Sequence, residues 1–506
     1  MLTRRVFTLL LTLLLAGWGW AQQQSATKTL PITVNPASTP PPGACKVITP
    51  SGSGNHSGSD WNNAMVGAPW PTNLARGTNY YLSTGQYSGY NDFNEPLSGT
   101  AVIGIRKAIS GDHCTDTGYN NTTMGTGQAQ MGPTTGWGAN ACHNFGISLS
   151  SSSGYITIDG QVGSGETKGS YGILLPLSQT NSDCNNGSIN IAFGQQSGGN
   201  TTTHVTIRYV EMAGSCAGVA ENSSYKANCD AITNIPKVDS DLNVYRSDNI
   251  LVEHTFIHNS SSTFSQVVTA NNGVIYQYNY WHLNNYTPTQ HGNIVDMHGG
   301  NTNITLRYNI WHDTVGSFGV GSLSGGGGVS PDSNFLVYGN VYWWTSGFPT
   351  GQTGGYGDGA VACINGNQCP GWQVYNNTFI NAPANNMGVN WNNGATCAGG
   401  AAPIIENNLW YQNTATISFN GLCGGAIENF NSMLNNAGSV SRNGSSDVLN
   451  GASPNPFVNW PGGNFTLTGH NANWSNGTTL PSPFNIDPTG KARGSGGNWD
   501  RGAYQF

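Results

Sequence analysis

Six segments between residues 250 and 410 carry the same seven-residue pattern. They are Ile250-Leu251-Val252-Glu253-His254-Thr255-Phe256, Val274-Ile275-Tyr276-Gln277-Tyr278-Asn279-Tyr280, Ile304-Thr305-Leu306-Arg307-Tyr308-Asn309-Ile310, Phe335-Leu336-Val337-Tyr338-Gly339-Asn340-Val341, Gln373-Val374-Tyr375-Asn376-Asn377-Thr378-Phe379 and Ile404-Ile405-Glu406-Asn407-Asn408-Leu409-Trp410. Aligned on one polar position, held by Thr255, Asn279, Asn309, Asn340, Asn377 and Asn408, they recur every 24 to 37 residues. Such a period marks stacked supersecondary units, and alternation of apolar and β-branched residues makes each unit a strand with one buried face. Parallel strands stack about 4.8 Å apart, so equivalent side chains sit above one another. An Asn at the bend can then hydrogen-bond to neighbouring coils and satisfy backbone groups that the turn leaves unpaired. His258, His282 and His312, three residues past that position, form a second column, which we read as structural.

The sequence therefore predicts an all-β solenoid, and composition agrees: Gly is 71 of 506 residues and only 8% are charged, which excludes a long helical domain. A solenoid grows in one dimension, so one long domain is expected despite the length. Residues 1–21 read as an export signal, with Arg4 and Arg5 before the apolar run Val6 to Ala16 and small residues Gly19 and Ala21 near the cleavage point. Residues 22–44 read as a linker, because Pro36 and Pro40-Pro41-Pro42 lie in a stretch unable to bury a core. The solenoid itself is expected over 45–506. No later stretch reaches the roughly 20 apolar residues of a membrane span, so a secreted, extracellular or cell-surface protein is expected, as a monomer. The 10 cysteines suit disulfide-braced loops in an oxidising compartment; Cys363 with Cys369 and Cys114 with Cys142 are the expected local pairs, and paired C-x-x-C spacing for zinc is missing.

Gly54-Asn55-His56-Ser57-Gly58-Ser59-Asp60-Trp61-Asn62-Asn63-Ala64 and Gly77-Thr78-Asn79-Tyr80-Tyr81-Leu82-Ser83-Thr84-Gly85-Gln86-Tyr87 resemble the opening of secreted bacterial right-handed parallel β-helix proteins. Asp487-Pro488-Thr489-Gly490-Lys491-Ala492-Arg493 and Asp500-Arg501-Gly502-Ala503-Tyr504 resemble their closing D-x-x-G-x-x-R and D-x-G-A-Y elements. The resemblance implies a fold of the pectate-lyase-like superfamily, which holds polysaccharide lyases, inverting hydrolases, uronan epimerases and non-catalytic surface proteins. It also implies release or non-covalent attachment at the cell surface, since the chain stops at Phe506. Fold does not choose among these activities, so function rests on side chains that point outward.

In Gly292-Asn293-Ile294-Val295-Asp296-Met297-His298, burying Val295 and Met297 turns Asp296 and His298 outward together, and His291 lies just before them. This His-Asp-His group is the candidate catalytic site, able to move a proton or hold a cation. The interruption between Thr233 and Ser247 reads as a functional loop: Lys237, Tyr245 and Arg246 suit an acidic sugar, while Asp230, Asp239 and Asp241 offer oxygen ligands for Ca²⁺, the one cofactor considered. A lyase needs positive charge at the substrate carboxylate beside a base, which this loop and cluster would supply. An inverting hydrolase needs two spaced carboxyl groups, and only Asp296 stands out, with Asp230, Asp313 or Asp358 as partners the sequence cannot choose between. The non-catalytic alternative is an adhesin or surface-structural protein that binds glycan through rings such as Trp343, Trp344, Trp391 and Trp410. A formal net charge of -7 argues against nucleic acid as partner. The expectation is thus a secreted β-helix engaging extracellular polysaccharide, as a lyase acting by β-elimination on a uronate-containing glycan, as an adhesin, or as an inverting hydrolase.

Overall fold

The computed structural model describes residues 44–506 apart from 88–90, 133–142, 149, 177–188, 195–198, 223, 233–239, 285–291, 316–318, 323–330, 346–358, 384–385, 393, 398–399 and 442–443. Among the described residues, parallel strands form three sheets of 13, 12 and 9 strands, and most strands pair with those three positions away in the chain. We name these sheets A, B and C in the order the chain visits them. One coil runs through Ser247–Glu253 in A, Phe256–Ser260 in B and Ser265–Val268 in C, and returns to A at Asn272–Gln277. This is a right-handed parallel β-helix, the hand that parallel crossovers adopt.

Each sequence echo holds two strands where one was read. The chain leaves A through two corner residues, the first left-handed (φ 50° at His254, 54° at Tyr278, 59° at Tyr308) and the second the ladder Asn. Because the corner is only two residues long the two strands read as one, although the phase of in-out alternation shifts across it, with Val252 and Ile257, five residues apart, both inward. The ladder is continuous. The Thr255 N–H donates to the Asn279 Oδ1 at 2.9 Å, Asn279 to Asn309 at 3.1 Å, Asn309 to Asn340 at 2.9 Å, Asn340 to Asn377 at 3.1 Å and Asn377 to Asn408 at 3.0 Å. It then runs past the echoes to Asn431 and Asp447. Each Asn Nδ2 also donates to a carbonyl of the preceding coil, as Asn340 does to Leu306 at 2.9 Å. A second ladder stands at the corner from C back to A, where Asn271 donates to Asn301 and Asn301 to Asp332, both at 2.8 Å. That set recurs at the same period in the sequence and was legible there.

The core is filled from inside: Ile250 and Val252 from A, Ile257 and the stacked Trp281, Trp311, Tyr342, Phe379 and Trp410 from B, and Val267 and Met297 from C. The tryptophans proposed for sugar contact are consumed by packing, since Trp343, Trp344, Trp391 and Trp410 are all buried. Among the described residues, Cys45 bonds Cys114, Cys216 bonds Cys229, Cys363 bonds Cys369 and Cys397 bonds Cys423. Cys363–Cys369 was expected, whereas Cys114 pairs with Cys45 and not with Cys142, because the first strand lays Cys45 against the start of the solenoid, near Trp61. Cys142 lies outside the described residues. No described helix is long and apolar enough to cross a membrane.

The supposed loop from 233 to 247 is in part regular structure. Ser240–Tyr245 is a strand of sheet C, with Leu242 and Val244 in the core and Asp241, Asn243 and Tyr245 outward; its period-two pattern was there to be read. The C-terminal motifs build a cap. Arg501 is buried, with Nη1 donating to the Asn431 carbonyl at 2.8 Å and Nη2 to the Ser446 and Asn476 carbonyls at 3.0 and 2.9 Å. Gly502 passes so close to Thr378 that a Cβ would sit 2.6 Å from its hydroxyl, and the Ala503 N–H donates to that hydroxyl at 2.7 Å. Phe457, Trp460, Phe465, Leu467 and Trp474 cover the outer face of sheet B in the last coils.

Candidate functional site

The corner from A to B carries a row of aromatic rings. Tyr209, His254, Tyr278 and Tyr308 occupy successive left-handed positions, at φ between 50 and 59°. Tyr209 stacks on His254 (centroids 5.1 Å, planes 9° apart), His254 on Tyr278 (5.2 Å, 6°) and Tyr278 leans on Tyr308 (5.2 Å, 33°). Left-handed backbone disfavours bulky side chains by roughly 1 kcal/mol or more per residue, and Gly or Asn is its ordinary occupant. The same corner later uses Gly339, Asn376, Asn407 and Phe430. Four consecutive aromatic residues therefore stand against local preference, which is where function rather than folding decides the residue.

Beside this row opens a cavity of about 290 Å³. Its floor is the outward column Tyr280, Ile310 and Val341 of sheet B, and its sides are His254, Tyr278, Tyr308 and Gly339. The 163–165 turn with Tyr171 closes one edge, and Pro488, Thr489 and Tyr504 of the cap close the other. A Cβ at Gly339 would lie 2.7 Å from the Tyr308 ring, so only glycine leaves that ring's face clear. Among the described residues, no Asp, Glu, Lys or Arg lines the cavity. Burial pulls His254 below its ordinary value, ahead of the smaller opposing pull of Glu253, so the ring is uncharged at neutral pH. The charged column next door on sheet A is internally paired: Arg208 with Asp159 at 2.8 Å, Gln277 with Glu253 at 2.6 Å and Arg307 with Gln277 at 2.7 Å.

The histidine column stands on the same outer face of sheet B and does more than stack. His282 and His312 lie parallel with centroids 4.5 Å apart, and Trp343 covers the other face of His312 at 3.7 Å. Glu166 reaches the His312 Nδ1 at 2.8 Å, the Tyr280 hydroxyl lies 3.1 Å from the same nitrogen, and Asp313 and Thr345 meet Nε2 at 3.2 and 2.7 Å. Glu211 holds His258 at 3.2 Å, and Lys168 pairs with Glu221. Tyr280 thus links the uncharged cavity to a proton-carrying cluster. Burial alone would raise the Glu166 carboxyl; the His312 hydrogen bond, the His282 charge and Tyr280 together bring it down to about 2. Its folded value lies below its unfolded one, so its stabilising contribution is complete above the ordinary Glu range and is lost as pH falls toward 2. The stability gap between wild type and Glu166→Gln, measured by denaturant unfolding, should accordingly be widest above pH ~5 and close as pH falls below ~4.

Among the residues chosen from sequence, Asp296 and His298 do face outward, side by side on sheet C, with His298 Nε2 3.1 Å from the Asp296 carboxylate, and both are buried. Tyr245 lies in the same column as His298, with Val268 between them, and Arg246 follows at the corner into sheet A. Asp241 is buried on the same strand as Tyr245. Asp230 lies on the Tyr225–Ile232 helix, and His291, Lys237 and Asp239 fall outside the described residues. Sequence reasoning missed Glu166 because it joins His312 from 146 residues earlier, in an aperiodic turn. The left-handed tyrosines were visible as the variable position before each ladder Asn.

The site is a lateral groove on a right-handed parallel β-helix, a class of architecture that serves several chemistries. The chain matches no protein-family model and no curated protein. Among solved structures it is similar to pectate lyase Pel9A (14% identity, covering 92% of this chain and 96% of that one, TM-score 0.48). It is also similar to the alginate lyase from Paenibacillus sp. str. FPU-7 (11%, 74% and 94%, TM-score 0.39) and to the Streptococcus pneumoniae surface protein and adhesin PfbA (11%, 74% and 88%, TM-score 0.31). These likenesses assign no activity.

Proposed function

We propose that the protein engages extracellular polysaccharide in the groove at the corner of sheets A and B. The observation that carries this reading is the row of four aromatic rings held in left-handed backbone beside a cavity without formal charge. Flat rings suit the apolar faces of sugars, and the hydroxyls of Tyr278, Tyr280 and Tyr504 suit their hydroxyl groups. An uncharged lining favours a neutral glycan. The three rings of the row that stay accessible, Tyr209, His254 and Tyr278, span two rises, about 10 Å, which is longer than a single sugar. Where turnover follows, Tyr280 is the group placed to exchange a proton with the glycan, backed by His312 and Glu166.

A second reading is favoured by the Asp296–His298 contact on sheet C. It is β-elimination on a uronate-containing glycan, with His298 as base, Asp296 orienting it, His291 as a further proton carrier, and Lys237, Tyr245 and Arg246 receiving the acid. Asp230, Asp239 and Asp241 would then hold Ca²⁺. Residues 22–506 should be incubated with neutral and acidic polysaccharides, with and without Ca²⁺, and scored for new reducing ends and for the ultraviolet absorbance of unsaturated uronates. The groove reading expects reducing ends from neutral glycan that Tyr280→Phe lowers about 100-fold or more, with His298→Ala near wild type. Unsaturated uronates abolished by His298→Ala would replace it with the second reading. Retention of glycan with no product would leave a binding protein of the adhesin kind.

A further inference from the structure

We propose that His282, His312 and Glu166 form a site for one divalent transition-metal ion of the zinc class. One ligand atom from each of these three side chains lies within 4.8 Å of the other two. Metal bonds of about 2.1 Å bring ligands to roughly 3.4 Å in a tetrahedral set, and Glu166, with its side chain 43% exposed, is free to swing the remaining distance. The His312 pair is already close, at 2.8 Å.

Three further features point the same way. First, Asp313 and Thr345 stand at the His312 Nε2, at 3.2 and 2.7 Å, and Asp313 lies 3.9 Å from the His282 Nε2. An imidazole whose Nε2–H is held by a carboxylate presents its Nδ1 lone pair, and this is the outer-shell arrangement that metal-binding histidines use. Second, Trp343 stacks on the His312 ring and fixes its plane, so that donor is oriented, while His282, parallel on the other face, turns about its side-chain bonds to bring its own nitrogen to the ion. Third, among the described residues four carboxylates (Glu166, Glu211, Glu221 and Asp313) share this face with the Lys168 ammonium, an excess of negative charge that a dication offsets. Two imidazoles and a carboxylate suit Zn²⁺ and its neighbours, whereas Ca²⁺ takes six or more oxygens. Three protein ligands leave a coordination position open beside Tyr280 and the cavity. This site does not depend on the glycan reading and uses none of the Asp residues considered for Ca²⁺.

The test is calorimetric titration of chelator-stripped protein with Zn²⁺ alone, and separately with Ca²⁺. The expected result is one Zn²⁺ per chain with a Kd below about 100 μM, weakened at least ~10-fold by Glu166→Gln and by His282→Gln, and ~10- to 100-fold by Asp313→Asn. Ca²⁺ should give no heat that these variants change. Glu166 is exposed, so its variant folds whatever the fate of His282→Gln. Absent or weaker binding by the wild type, or a Kd unchanged in Glu166→Gln, would overturn the proposal.

Discussion

Replacing Asn340 by Leu should lower the unfolding free energy by roughly 3–5 kcal/mol, although the side chains are nearly equal in size. Asn340 is fully buried, and its Oδ1 receives both the backbone N–H and the side-chain amide of Asn309, at 2.9 and 3.0 Å. Its own amide donates to the Leu306 carbonyl at 2.9 Å and to the Asn377 Oδ1 at 3.0 Å. Leu leaves those groups buried without partners, and each costs about 1–3 kcal/mol before relaxation. Because coils contact only their neighbours, the loss should first open the coils around residue 340, visible as faster amide exchange there than at the first coils. Denaturant unfolding gives the size. Thr416→Ala is the control: its exposed hydroxyl meets that of Ser439 at 3.3 Å on the surface, and its loss should cost under about 0.5 kcal/mol.

The second large effect is on binding. Exchanging His254 and Tyr278 together for Asn should leave stability within about 1 kcal/mol of wild type, because Asn tolerates the left-handed corner better than either ring. The same change removes the two central rings of the row, with Tyr278 the most open of the four. Two stacking surfaces at about 1–1.5 kcal/mol each predict a 30- to 150-fold loss of glycan affinity. Separating stability from affinity in this way tells a binding row from a packing row.

Much of the fold was legible because a solenoid writes its geometry into the period of the sequence. The ladder from Thr255 to Asn408 and the outward pairing of Asp296 with His298 both follow from alternation and stacking alone. What escaped reading did so for identifiable reasons. The A–B corner is only two residues long and carries no turn signal of its own, so two strands merged into one although the alternation shifts phase there. Trp343 was read as a sugar platform, yet it is outward and covered, since Phe465 of the cap packs on it from more than 100 residues away in the chain. The histidine column was read as structural because the groups that give it chemistry, Glu166 and Glu211, arrive from earlier coils with no periodic signature. Segments without a period are where sequence alone falls short here.

The most direct test of the groove is a titration of wild type and the His254→Asn/Tyr278→Asn protein with neutral and acidic oligosaccharides, read as changes in amide chemical shift or as heat. The account predicts saturable binding of a neutral oligosaccharide by the wild type and a 30- to 150-fold weaker interaction in the variant at equal stability. Equal affinity in the two proteins would contradict it, as would a glycan that binds only through sheet C and is released by His298→Ala.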